Sequence, residues 1–375
     1  MPRKIAWLAL PLALGVLLVQ AAPPALGGPP NECKRELAGP ATAYLGGWIP
    51  AALDDPRVPR ERDPLGQFEA LAGKRVTVVN RWEHWGLGPG GRVDIKWLRR
   101  VVASGAFPMV TWVPWNPGIK KPEFQRGFLM RDVARGAHDR YIADIASEVA
   151  EWNGPIFIRF AQEMNGTWYP WGKHQNSPEE YIAAWRHVHE IFTQKGAGQV
   201  SWVWNPSEKN HPESLGLWYP GDDVVDWIAV DGYNWDDPNY WKDASGDTWR
   251  TLDMVFTPSF DDIAAFAPAD TPWMIAETAS TERRGDPGRK ASWICDAFRR
   301  AIPEQFPRVK AVLWFEQPTD EGGKPFPWQA DSSGASREAF AAAVAPDYYA
   351  GDLGDLPARI GRNKIPDLAS LAAGP

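Results

Sequence analysis

The chain has 375 residues and a formal net charge of −7, a balance that argues against nucleic acid or an anionic membrane surface as its partner. Its only two cysteines, Cys33 and Cys295, exclude a disulfide-framework fold. Twenty-two tryptophans stand in a chain that is 44% hydrophobic, and flat indole faces suit the C–H faces of sugars as well as a core.

In chain order, Pro2, Arg3 and Lys4 precede an apolar run from Ile5 to Val19, followed by small residues and prolines from Ala21. This is the pattern of a secretory signal peptide over residues 1–27, cleaved between Ala21 and Gly28. The run, about 15 residues long, is shorter than a membrane span requires; an uncleaved anchor is the alternative. The mature protein is expected outside the cytoplasm, extracellular or periplasmic, without membrane contact and as a monomer. In that oxidising setting Cys33 and Cys295 are able to pair, closing a loop worth roughly 4 kcal/mol, or they remain two free thiols.

From Thr42 onward short β-type runs alternate with helical patterns. The strand candidates are Ala43–Ile49, Arg75–Arg81, Phe107–Pro114, Pro155–Glu163, Val200–Asn205, Trp227–Tyr233, Trp273–Glu277 and Lys310–Glu316. Helices are expected at His138–Trp152, Pro178–Thr193, Phe260–Phe266, Gly288–Ala301 and Ser336–Val344. Eight βα units in one composition regime predict an α/β fold, a single (β/α)8 TIM barrel spanning residues 28–345. Trp235–Phe256 reads as a functional loop after the sixth strand, and 346–375 as an irregular tail.

Barrels of this kind build their sites at the C-terminal ends of the strands. Along strand four, alternation places Phe157, Arg159, Ala161 and Glu163 on one side; strand seven ends in Glu277 with Trp273 and Ile275 on its side. Strands four and seven face each other across a barrel, so two glutamates flank one bound bond. Glycosidic hydrolysis needs such a pair, one carboxyl to protonate the leaving oxygen and one to stabilise or attack the anomeric carbon.

The run Arg159-Phe160-Ala161-Gln162-Glu163-Met164-Asn165-Gly166-Thr167-Trp168-Tyr169-Pro170-Trp171-Gly172 resembles the strand-four signature of glycoside hydrolase family 26, mostly β-mannanases with β-1,3-1,4-glucanases and β-1,3-xylanases. The resemblance continues through Trp202-Val203-Trp204-Asn205-Pro206, Val230-Asp231-Gly232-Tyr233-Asn234, Ile275-Ala276-Glu277 and Leu313-Trp314-Phe315. It implies a secreted retaining endo-glycosidase acting on a β-linked polysaccharide, β-mannan first. Glu163 is then the acid/base and Glu277 the nucleophile. Trp168 and Trp314 stack on sugar rings, Tyr233 hydrogen-bonds the nucleophile, and Arg159 supports Glu163. Asn205 and Gln162 complete the substrate contacts. The family usually has His where this chain has Gln162, which can exchange hydrogen bonds but carries no proton.

Trp115, beside Asn116 after strand three, reads as a stacking platform. Glu83 and His84 either line a distal sugar subsite or form a plain loop ion pair, and Asp231 reads as a buried structural carboxylate held by Arg159. No histidine spacing suggests a metal and no glycine-rich loop a nucleotide, so no metal and no cofactor is expected. Two other readings stay open: a non-catalytic carbohydrate-binding protein on the same barrel, and a hydrolase of a bacterial exopolysaccharide or cell-wall glycan.

Overall fold

A computed structural model describes residues 30–37, 43–86, 91–116, 118–119, 125–209, 211–319 and 325–351. The expected signal segment lies outside the described residues, as does the tail beyond Gly351. Eight strands form one closed parallel barrel: β1 (Ala43–Trp48), β2 (Val78–His84), β3 (Phe107–Val113), β4 (Ile156–Phe160), β5 (Val200–Trp204), β6 (Trp227–Asn234), β7 (Trp273–Ser280) and β8 (Val309–Phe315). β1 closes the ring, pairing Tyr44 with Ala311 of β8 and Gly46 with Val78 of β2. A Cβ at Gly46 would stand 2.7 Å from Leu313 and 2.8 Å from the Val78 carbonyl, so the closure requires glycine there.

The helices α1 (Pro64–Ala72), α2 (Ile95–Ala103), α3 (Met130–Ala134), α4 (Asp139–Trp152), α5 (Pro178–Gln194), α6 (Leu252–Ala264), α7 (Arg289–Asp296) and α8 (Gly334–Val344) lie between the strands in sequence. Their starts follow from capping. Asp63, Asp94 and Thr251 accept from backbone amides at the heads of α1, α2 and α6, and Ser177 with Glu180 forms a full capping box on α5. α6 begins well before the expected Phe260, because Pro258 inside the helix masks its periodicity. The presumed loop after β6 therefore ends at Thr251. A stretch of π-helix, Ala297–Gln305, extends α7.

Inside the barrel, Tyr44, Val78, Phe107, Met109, Phe157, Val203, Trp227, Met274 and Leu313 form an apolar lower layer. A larger cluster fills the space between strands and helices. Cys33, in a short helical turn, is disulfide-bonded to Cys295 of α7, pinning the N-terminal segment to the barrel wall. The region expected as irregular tail opens with a two-residue strand, β9 (Tyr349–Ala350), that pairs with β1 and buries Tyr349.

Candidate active site

Directly above the apolar layer, the inward positions of β3, β4, β6 and β7 turn polar. Arg159 of β4 is the hub. Its Nε donates to Thr111 Oγ1 at 2.8 Å, and Nη1 donates to Asn205 Oδ1 at 3.0 Å and Asp231 Oδ2 at 2.9 Å. Its Nη2 donates to Glu277 Oε1. Burial works against the guanidinium charge, yet Asp231 and Glu277 outweigh it and hold Arg159 above its ordinary pKa. Burial pushes the Asp231 carboxyl upward against the pull of Arg159. Asp231 is thus the buried carboxylate held by Arg159 that the sequence suggests.

Glu277 reaches this layer through a break in strand alternation. β6 and β7 pair Val230 with Ile275, then Asp231 with Glu277, leaving Ala276 as an extra residue. Met274 and Ala276 both belong to the interior cluster, and Glu277 points inward beside them, 5% exposed. Trp273 and Ile275, expected on the side of Glu277, instead face the helices, where Trp273 stacks on Phe260 at 4.7 Å. Tyr233 completes the setting by donating to Glu277 Oε2 at 2.6 Å. Burial pushes its phenol well above the usual range, which keeps it a donor.

Glu163 is held differently. β4 ends at Phe160 rather than at Glu163, and Ala161 and Glu163 adopt positive φ of 46° and 56°. Such left-handed backbone is uncommon in residues other than glycine and concentrates at functional sites. The Glu163 amide donates to the Asn205 carbonyl at 2.7 Å, fixing the turn over β5. Its half-buried carboxylate accepts the Trp168 indole N–H at 2.7 Å, and Trp168 is 38% exposed. Arg159, Asp231 and Tyr233 all feel its charge, so both glutamates share one electrostatic cluster.

Several expected contacts fall elsewhere. Arg159 is fully buried and binds Glu277, so it supports Glu277 rather than Glu163. Trp314 is also fully buried. Its N–H donates to the Trp328 carbonyl and its ring packs on Phe340 at 5.1 Å, because alternation in β8 turns Leu313 and Phe315 inward. It cannot stack on a sugar. Phe315 takes the mouth position, stacked on Trp48 at 4.9 Å and edge-on to Tyr233 at 5.5 Å. Asn205 is buried against Arg159. Gln162 is buried too, and neither polar atom of its amide has a hydrogen-bond partner among the described residues.

Trp115 stays partly exposed, edge-on to Tyr169 at 5.4 Å and stacked on His84 at 5.8 Å. Glu83 and His84 diverge. Glu83 is buried beside Arg81 at 3.0 Å, its carboxyl pushed up to about 7 by burial, while His84 joins Trp82 and Trp115 at the mouth. Trp48, Trp82, Tyr169 and Phe315 are mouth aromatics that the motif run alone did not mark as site residues; strand-end position would have found three of them. Among the described residues, no group of three His, Cys, Asp or Glu side chains is placed to hold a metal ion.

A parallel eight-stranded barrel whose mouth carries two glutamates, one fixed by Arg and Tyr and one under an exposed indole, has the layout of the barrel glycosidases. Residues 132–270 match the model of glycosyl hydrolase family 26. Endoglucanase H of Acetivibrio thermocellus is 32% identical over 291 residues, 75% of this chain and 29% of that protein. The β-1,3-xylanase TXYA of a Vibrio species is 32% identical over 118 residues, 29% of this chain and 25% of its own length. The chain thus spans under a third of these curated relatives. Among solved structures, a modular endo-β-1,4-mannanase from Cellulomonas fimi superposes with a TM-score of 0.58 at 17% identity, covering 82% of this chain and 71% of that one. At that identity the likeness speaks for the fold alone.

Proposed function

We propose that this chain is a retaining glycoside hydrolase that cuts a β-linked polysaccharide internally, with Glu163 as acid/base and Glu277 as nucleophile. The observation that carries the reading is the unequal setting of the two carboxylates. Glu277 has both oxygens fixed, by Arg159 and by Tyr233, which aims one carboxylate edge without letting it swing. Such a group suits attack on an anomeric carbon and a covalent glycosyl intermediate. Glu163 stands half-buried on an open turn where it accepts the Trp168 indole N–H, a setting that suits giving its proton to a leaving oxygen and then taking one from water. Trp48, Trp82, Trp115, Trp168 and Phe315 offer flat faces for the sugars on either side.

The catalytic domain is read as residues 28–345 behind an exported leader, 1–27, a reading that the Cys33–Cys295 disulfide supports because such bonds persist in oxidising compartments. The motif run by itself suggests β-mannan first. The match to an endoglucanase over 75% of the chain and the Gln162 exchange together favour a β-glucan as the first polymer to test, with mannan and β-1,3-xylan beside it.

The test has two parts. Reducing ends released from mixed-linkage β-glucan, mannan, galactomannan and β-1,3-xylan identify the polymer, and silence on all four defeats the reading. Glu163→Gln and Glu277→Gln are each expected to lower turnover by about 10³–10⁵-fold in a chain that still folds, since each removes a reacting group. Near wild-type rates in either variant also end the assignment.

A further inference from the structure

Beside the mouth, on the flank formed by the connections after β5 and β6, lies a second cavity of about 680 Å³. Glu208, Lys209, Tyr240, Trp241, Arg250 and Met254 are among the residues that line it. Its volume is ordinary for a small-molecule site. Tyr240 is 59% exposed and Met254 45%, so large apolar groups face solvent here.

The charges in the cavity are already matched. Arg250 grips Glu208 through both carboxylate oxygens, Nη2 donating to Oε1 at 2.8 Å, and Lys209 Nζ sits 2.7 Å from Asp262. With no surplus of either sign, the cavity favours a neutral ligand. The Arg250 guanidinium also lies 5.9 Å from the centre of the Trp241 ring. Exposed rings next to a fixed, planar guanidinium–carboxylate pair are what a pyranose needs: a flat partner for its C–H face and paired acceptors and donors for neighbouring hydroxyls.

The cavity is also joined to the mouth. The Tyr240 ring stacks on Trp235 at 4.2 Å with 4° between planes, and Trp235 touches Tyr233 at 5.7 Å. Arg250 Nη2 donates to the Tyr233 carbonyl at 2.7 Å, while the Tyr233 hydroxyl holds Glu277. A single layer of rings separates the two places. We propose that this cavity is a second carbohydrate-binding site, which takes a neutral stretch of a β-linked polysaccharide and keeps the polymer beside the mouth. The choice of ligand rests on the glycosidase reading of the mouth.

The full chain carrying Glu163→Gln, which leaves the polymer uncut, is run in native gels containing mixed-linkage β-glucan or glucomannan. It is expected to be retarded by at least one of the two. Adding Tyr240→Ala and Trp241→Ala is expected to weaken that retardation at least fivefold, and Met254→Arg, which fills the cavity with bulk and charge, to do the same. In the otherwise wild-type chain, Tyr240→Ala with Trp241→Ala should raise KM on the polymer at least fivefold. It should leave kcat, and the rate on a small aryl β-glycoside that occupies only the mouth, within twofold. Absence of retardation, or retardation and KM unmoved by both sets of substitutions, overturns the second site. If the wild-type chain cuts no glycan yet the cavity substitutions abolish retardation, the reading of the mouth falls and the second site stands.

Discussion

The β7 side of the mouth and the turn after β4 carry the same kind of side chain in opposite surroundings. Glu277 is 5% exposed, clasped by Arg159 and Tyr233, and reaches the lumen through a bulge in a strand paired on both edges. Glu163 sits on three residues of irregular backbone and touches solvent, with Trp168 over it. The β7 side is further backed by the segment before α8. Lys290 of α7 donates there to the carbonyls of Pro327 and Gln329 and to Ser332 Oγ, fixing Trp328 against Tyr233 at a ring distance of 5.0 Å. Rigidity around one carboxylate and access around the other is how a single mouth hosts two chemical roles, one needing fixed aim and the other proton exchange.

The sharpest way to break this contrast is at its hub. Arg159→Met leaves Asp231 and Glu277 buried without their cation, a change expected to cost about 3–5 kcal/mol of stability. Urea unfolding measures it, and a loss below 1 kcal/mol would mean that the cluster is not held by this charge.

Next in size is a pH effect on the same side. Burial raises the Glu316 carboxyl, whose Oε2 accepts the Ala330 amide at 3.0 Å, to about 7. A carboxyl raised on folding contributes stability that is full below its unfolded pKa, near 4.5, and is lost as pH climbs through about 7. Glu316→Gln should therefore flatten the decline in unfolding free energy between pH 5 and 8 by up to about 3 kcal/mol. An unchanged pH slope in the variant rules out the buried carboxyl as its source.

Tyr233→Phe tests the aim of Glu277 while keeping the ring stack with Trp235 and Trp328. Loss of a hydrogen bond to a charged group is worth about 1.5–3 kcal/mol, so kcat is expected to fall by about 10–100-fold with little change in KM. A change in KM alone would place Tyr233 in sugar binding instead.

How much of this was legible in the sequence depends on which layer is asked about. All eight strands follow from alternation and β-branched content, and the strand-end rule with the motif run brought out both glutamates. What alternation got wrong lies where its phase shifts. The extra residue at Ala276 reverses Trp273 and Ile275, whereas β8 alternates regularly, so that Trp314, placed on a sugar only by the family resemblance, faces the helices. The bulge at Ala276 is a backbone irregularity above the apolar layer, and residue type carries no mark of it. The support of Glu163 by Arg159 that the resemblance implies fails because β4 ends early, lifting Glu163 away from the row beneath it. Pro258 hid the start of α6 in the same way, a local rule overridden by packing.

The smallest expected effect lies on the open side. Trp168→Phe keeps a ring for the sugar and removes only the indole N–H that Glu163 accepts. A donor to a carboxylate favours its charged form, so without it Glu163 holds its proton to higher pH. If Glu163 is the group that must be protonated for the first step, the alkaline limb of kcat/KM moves upward in the variant. The rate at the optimum changes by no more than about tenfold, the range of a single hydrogen bond at a partly exposed site. Tyr233→Phe, acting on the other carboxylate, leaves that limb in place. Opposite signatures from the two substitutions, a depressed plateau on one side of the mouth and a displaced limb on the other, would separate the two glutamates by role. A limb that stays put in Trp168→Phe would instead move the acid function away from Glu163.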